Sequence, residues 1–204
     1  MSQSSSSSSP PPPPPPLIKI HPDFSSQEWC TNLLSDSGIS NIVAPTDDPK
    51  HWTSQGVSNS MFAETLYTPR AIRAQISFAR PTRESDAVGT GALEYCSLFS
   101  LGSGVDGKTG RAHGGLNALL LDQLTGVAAA AVSNAKAPAT ATMTVDYKAP
   151  ISTPGVVLGR AWAVERSGRK TWVKAVVEDG EGKVLAAAKA LFISPKPDTI
   201  AAKL

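Results

Sequence analysis

The sequence predicts an α+β domain in which a curved antiparallel sheet wraps around one central helix. Three observations carry that prediction. Residues 116–132 read as a single apolar helix, segments of alternating polarity lie on both sides of it, and turn residues join the later segments as hairpins.

At 204 residues the chain has length for one domain with a real core, plus extensions. Lys and Arg number 19 against 17 Asp and Glu, a net charge of +2, and no basic cluster is present, so nothing in the charge points to nucleic acid. Two cysteines, Cys30 and Cys96, are too few for a disulfide framework and suit a reducing compartment. No apolar run has the length of a membrane span, and the longest candidate is interrupted by Asp122 and Gln123. The N-terminus carries neither a hydrophobic signal core nor an Arg-rich transit pattern.

Residues 1–16 hold a serine run followed by prolines, a tract that cannot bury anything and is expected to be a disordered tail. Residues 17–60 form an N-terminal extension expected to lie against the domain, with Ser25 and Glu28 spaced as a capping box for a short helix through Trp29, Leu33 and Leu34. The domain itself is expected over 61–195. Residues 61–67 read as helix, and Thr68-Pro69 as the start of a second one. Residues 75–79 and 91–101 alternate as the first two strands, and a glycine-rich loop, 102–110, leads into the central helix. In that helix Leu116, Leu119, Leu120, Leu124, Val127 and Ala131 make an apolar stripe, surrounded by small residues that let a sheet approach closely. Strands are then expected at 139–147, 156–166, 170–179 and 183–193, with Ser167-Gly168 as a hairpin turn. Residues 196–204 are a C-terminal tail.

Candidate chemistry gathers on the central helix. Asp122 is a lone carboxylate in an apolar run, costly unless paired or used. Gly114 and Gly115, at the start of the helix, leave backbone N–H groups uncovered at its positive end, where an oxyanion or a polarised carbonyl can be held; close packing is the other reason for glycine there. The same loop matches G-x-G-x-x-G at Gly102, Gly104 and Gly107, but in a dinucleotide fold the acidic partner ends a second strand, whereas Asp122 lies within the helix. No G-x-S-x-G elbow exists, and the three histidines, His21, His51 and His113, are too scattered for a zinc set. No metal and no cofactor are expected.

His113-Gly114-Gly115, an Asp nine residues after the His, and the downstream run from Thr140 to Tyr147-Lys-Ala-Pro150 resemble the hotdog-fold acyl-CoA thioesterases, specifically the phenylacetyl-CoA thioesterase type and its fungal relatives. The resemblance covers roughly residues 61–195. It implies a hotdog fold and hydrolysis of an acyl-CoA, or of a carrier-bound acyl thioester, to free acid and thiol. It also implies site roles. Asp122 would be the general base toward water or the nucleophile itself, and Gly114 and Gly115 would hold the thioester oxygen. His113 either caps the helix or takes part in the chemistry. Thr140 either positions the water or the carboxylate, or is an ordinary strand residue. At Gly107 the chain departs from relatives that carry an Asn nearby to help bind the thioester. A lyase or cyclase acting on a non-thioester intermediate of a secondary-metabolite pathway, and a non-catalytic acyl-binding module, are the alternative readings.

Geometry adds an expectation about assembly. Gly114 and Asp122 are eight residues apart, so about 12 Å along a helix rising about 1.5 Å per residue. Both cannot reach one carbonyl from the same chain, so a homodimer, or a dimer of dimers, is expected. Lys148, Arg160, Arg169 and Lys170 lie at expected strand ends, either as ordinary solvated charges or facing coenzyme A phosphates. Trp162 and Trp172 either shape a pocket or belong to the core. The final Ala202-Lys203-Leu204 resembles a peroxisomal address of the Ser-Lys-Leu type, making the peroxisome the expected location and the cytoplasm the alternative.

Overall fold

The computed structural model describes residues 19–44, 59–88, 92–134 and 137–196. The tail at 1–16, the turns at Ala44-Pro45 and Asp48-Pro49, and the tripeptide at 202–204 lie wholly or partly outside the described residues.

A seven-stranded antiparallel sheet runs in the order β1-β2-β3-β7-β8-β9-β6, where β1 is Ser40–Val43, β2 Ile72–Pro81, β3 Leu93–Leu101, β6 Ala139–Tyr147, β7 Gly155–Ser167, β8 Lys170–Glu178 and β9 Val184–Ile193. A two-stranded hairpin, β4 (Asp106–Lys108) and β5 (Arg111–Ala112), precedes the long helix α3, Gly114–Ser133. The sheet wraps α3 as the hotdog arrangement requires. One main core forms between them, from Leu116, Leu120, Leu121 and Leu124 of the helix against Phe99, Val157, Ala161, Val173, Val177 and Phe192 of the strands. Close contact between α3 and β7 depends on Gly159, since a Cβ there would lie 2.3 Å from Leu124 Cδ1.

The helix is rotated from the expected stripe. Leu116, Leu120 and Leu124 are buried, but so are Asn117, Leu121, Thr125, Ala128 and Ala129, while Val127 is 47% exposed and Ala131 is exposed. Apolar and small residues run around the whole circumference, so spacing alone does not select the buried face. By length and composition α3 would qualify as a membrane span, yet 44% of its most apolar stretch is buried inside the protein, as in the core helix of a folded domain.

The N-terminal extension packs on the opposite face of the sheet. Helices α1 (Pro22–Ser25) and α2 (Glu28–Leu34) place Phe24 and Cys30, both fully buried, against Ala74, Ile76, Phe78, Cys96, Leu98 and Leu158. The expected capping box does not form. Gln27 is the N-cap of α2 without a side-chain bond, and Ser25 instead ends α1, which His21 caps by accepting from the Asp23 N–H. Residues 61–66 are helical, as a wide π-type turn, but Thr68-Pro69 starts no helix. There the chain turns straight into β2, with the Thr68 hydroxyl oxygen and carbonyl both accepting from the Ala71 N–H.

A buried ionic cluster also lies on this outer face. Glu94, fully buried, binds Arg80 Nε at 2.5 Å and Arg160 Nη1 at 2.7 Å, and Arg160 also reaches Glu84 and Glu178 at 3.1 Å. Arg160 is therefore a mid-strand structural cation, not a free strand-end charge. Trp162, buried, donates to Asp86 and stacks under Arg160, and Trp172 carries Lys189 over its ring, so neither borders a described cavity.

Candidate active site

Asp122 sits mid-way along α3, half-buried on the side that the sheet leaves open. Its Oδ1 accepts a 2.9 Å hydrogen bond from Thr140 Oγ1 on β6. A β-bulge makes that contact. The β6–β9 register slips between Thr140 and Thr142, leaving Ala141 as the extra residue. Thr140 thereby faces α3 along with Met143 and Val145, whereas strict alternation would turn it away. β6 is the edge strand of the sheet and is exposed along most of its length.

The start of α3 is built by the loop before it. The His113 N–H donates to the Val105 carbonyl at 2.8 Å and the Ala112 N–H to Ile151 at 2.9 Å, while Asp106 accepts from the Gly110 N–H and the Thr153 hydroxyl. His113 is the N-cap, its Nδ1 accepting from the Gly115 N–H at 2.9 Å, which leaves the proton of the neutral ring on Nε2. This corrects the expectation for the two glycines. The Gly115 N–H is occupied by His113, and the Gly114 N–H is the donor with no acceptor among the described residues. His113 acts here as the cap that keeps the donor at 114 in place. Gly107 explains itself by contact, since a Cβ there would lie 2.9 Å from both Cα and Cδ2 of His113.

In front of Gly114 opens a cavity of about 570 Å³ between the loop 107–113 and the segment 147–151. Lys108, Arg111 and Lys148 line it without an ion pair to any described residue, no carboxylate lines it, and Tyr147 stands beside Gly114. Sequence reading placed Lys148 near such a role but missed Lys108, Arg111 and Tyr147. A second cavity, about 340 Å³, lies between β2, β3 and α3, where Gln75, Ser77 and Ser97 hydrogen-bond in a row opposite Gln123. Its only sequence signal is the run of small polar residues on the inner parity of two strands. Among the described residues no cluster of His, Cys, Asp or Glu is placed to hold a metal.

Residues 109–186 match the family model of the thioesterase superfamily, a stretch that contains His113, Gly114, Gly115, Asp122 and Thr140. Over that stretch the chain is similar to the thioesterase superfamily. Among curated proteins it is similar to acyl-coenzyme A thioesterase THEM4 of Xenopus laevis, 34% identical over 128 residues, 57% of this chain and 56% of the relative. The Mus musculus THEM4 is 34% identical over 103 residues, 50% of this chain and 44% of the relative. The chain thus spans about half the length of the curated relatives it matches. Among solved structures, zebrafish thioesterase superfamily member 2 is 13% identical and superposes with a TM-score of 0.47 over 57% of this chain and 81% of that one.

Proposed function

We propose that the chain hydrolyses an acyl-CoA, or another carrier-bound acyl thioester, to free acid and thiol. The observation that carries this reading is the Asp122 carboxylate, oriented by Thr140 on the open face of α3 and following the free Gly114 N–H in one helix. The named activity of the THEM4 relatives supports it.

In the proposed reaction the Gly114 N–H, at the positive end of α3, holds the thioester oxygen as it gains negative charge. Thr140 occupies Oδ1 of Asp122, leaving Oδ2 to take a proton from water. The water oxygen bonds to the carbonyl carbon, the carbon–sulfur bond breaks, and the sulfur leaves with the proton that Asp122 had accepted.

Because α3 is continuous from Gly114 to Ser133, the separation of about 12 Å between Gly114 and Asp122 holds. One thioester then needs Gly114 of one protomer and Asp122 of its partner. The free edge of β6 and the exposed apolar side of α3, Val127 included, are the surfaces such a two-fold dimer would cover.

The test is thiol release from a panel of acyl-CoAs by the wild type and by Asp122→Asn, which is nearly isosteric. Turnover is expected in the wild type, falling by about 10²–10⁴-fold in the variant. Undiminished turnover in the variant overturns the role of Asp122. Binding of acyl-CoA without any thiol release replaces the hydrolase with an acyl-binding module, and conversion of a non-thioester substrate replaces it with a lyase or cyclase.

A further inference from the structure

Asn117 is the residue at this site that nothing above uses. It lies one helical turn beyond Gly114, is only 5% exposed, and lines the cavity in front of the helix start. Its Oδ1 is buried with no hydrogen-bond partner. An unmade acceptor in the interior is expensive, and leucine, of similar shape, would fill the position without that cost. A carboxamide kept there is complete only when something in the cavity donates to it.

The cavity indicates the donor. Its rim carries Lys108, Arg111 and Lys148 and no carboxylate, which suits a ligand with anionic groups at its outer end. In a thioester of the proposed class that end belongs to the thiol, not to the acyl group. With the carbonyl at Gly114, the thiol portion enters past Asn117. In a pantetheine-type thiol, two methylenes separate the sulfur from an amide N–H. That nitrogen lies four bonds from the thioester carbon, about 5 Å with bonds near 1.5 Å. One helical turn from Gly114 to Asn117 is a rise of about 4.5 Å, so the two spacings agree.

We infer that Asn117 accepts the first amide N–H of the pantetheine arm, making it the residue that selects pantetheine thioesters over simple alkyl thioesters. This rests on the proposed reading of the site as a thioester hydrolase. It gives the cavity a polarity: arm along Asn117, phosphate-bearing end at the cationic rim.

The test pairs a substrate change with a residue change. Hexanoyl-N-acetylcysteamine presents the amide, and its twin with oxygen in place of that N–H lacks only the donor. Wild type is expected to prefer the amide by about tenfold in kcat/KM, as a lost hydrogen bond to a buried acceptor predicts. In Asn117→Leu the ratio should fall to about one, with no loss in Tm. Persistence of the preference in the variant, or its absence in an active wild type, overturns the inference. Binding of free pantetheine, followed by NMR, should weaken by the same factor in Asn117→Leu and needs no turnover. Weakened pantetheine binding in a protein that releases no thiol overturns the hydrolase reading alone, and unchanged binding overturns this one.

Discussion

Thr140 on the edge strand β6 donates its hydroxyl to Asp122 in the middle of α3 at 2.9 Å, across a bulge that turns Thr140 toward the helix. Two elements that share few core contacts are thereby joined at one carboxylate oxygen. Thr140→Val keeps the shape and removes the donor. A hydrogen bond to a charged group contributes roughly 1.5–3 kcal/mol, so kcat should fall by about 10–100-fold with KM little changed, and Thr140→Ser should restore most of it. Steady-state kinetics on one acyl-CoA decide this, and a Val variant with full kcat removes Thr140 from the site.

A shared site makes a quantitative demand on mixed assemblies. Gly114→Val blocks the helix start, and Asp122→Ala removes the carboxylate, so each homodimer should be inactive. Random co-assembly makes about half the dimers mixed, each with one site intact, and activity near a quarter of wild type should return. Mass spectrometry verifies that mixed dimers are present. If they are and the sample stays silent, the site lies within one chain.

The buried ionic cluster predicts a large stability effect far from the site. Glu94 is fully enclosed and serves both Arg80 and Arg160. Glu94→Gln leaves the buried Arg80 guanidinium without its counter-ion and takes one of three carboxylates from Arg160, and breaking a buried pair costs about 3–5 kcal/mol. Urea denaturation should show that loss in the extrapolated stability. A change below about 1 kcal/mol would mean that Glu84 and Glu178 alone satisfy Arg160.

The address reading of Ala202-Lys203-Leu204 is tested by location. A fluorescent protein fused ahead of the chain should enter peroxisomes, and deleting the three residues should leave it cytosolic with thioester turnover in vitro unchanged. A diffuse signal from the intact fusion identifies the tripeptide as a chance match.

Much of the fold is legible because the late strands alternate cleanly and their turn chemistry is explicit, as at Ser167-Gly168 between β7 and β8. Asp122 and Thr140 are legible as residue types, but their contact depends on the bulge, and no local pattern in an Ala-Thr repeat marks which residue is the extra one. The helix face escapes spacing arguments because α3 is apolar nearly all round. Gly115 escapes them because a histidine cap and a free amide look identical in a sequence. Arg160 looked like a strand-end charge because its partners, Glu84, Glu94 and Glu178, are separated along the chain and converge only in the folded sheet.

The contact between Gly107 and His113 has a consequence for how this site can change by mutation. With 2.9 Å between His113 and any Cβ at 107, the side chain at one position sets the pose available at the other. Replacing Gly107 with Asn would push His113 off the Gly115 N–H and loosen the cap. The two positions are therefore epistatic. Any side chain larger than hydrogen at 107 requires the histidine loop to reseat in the same step.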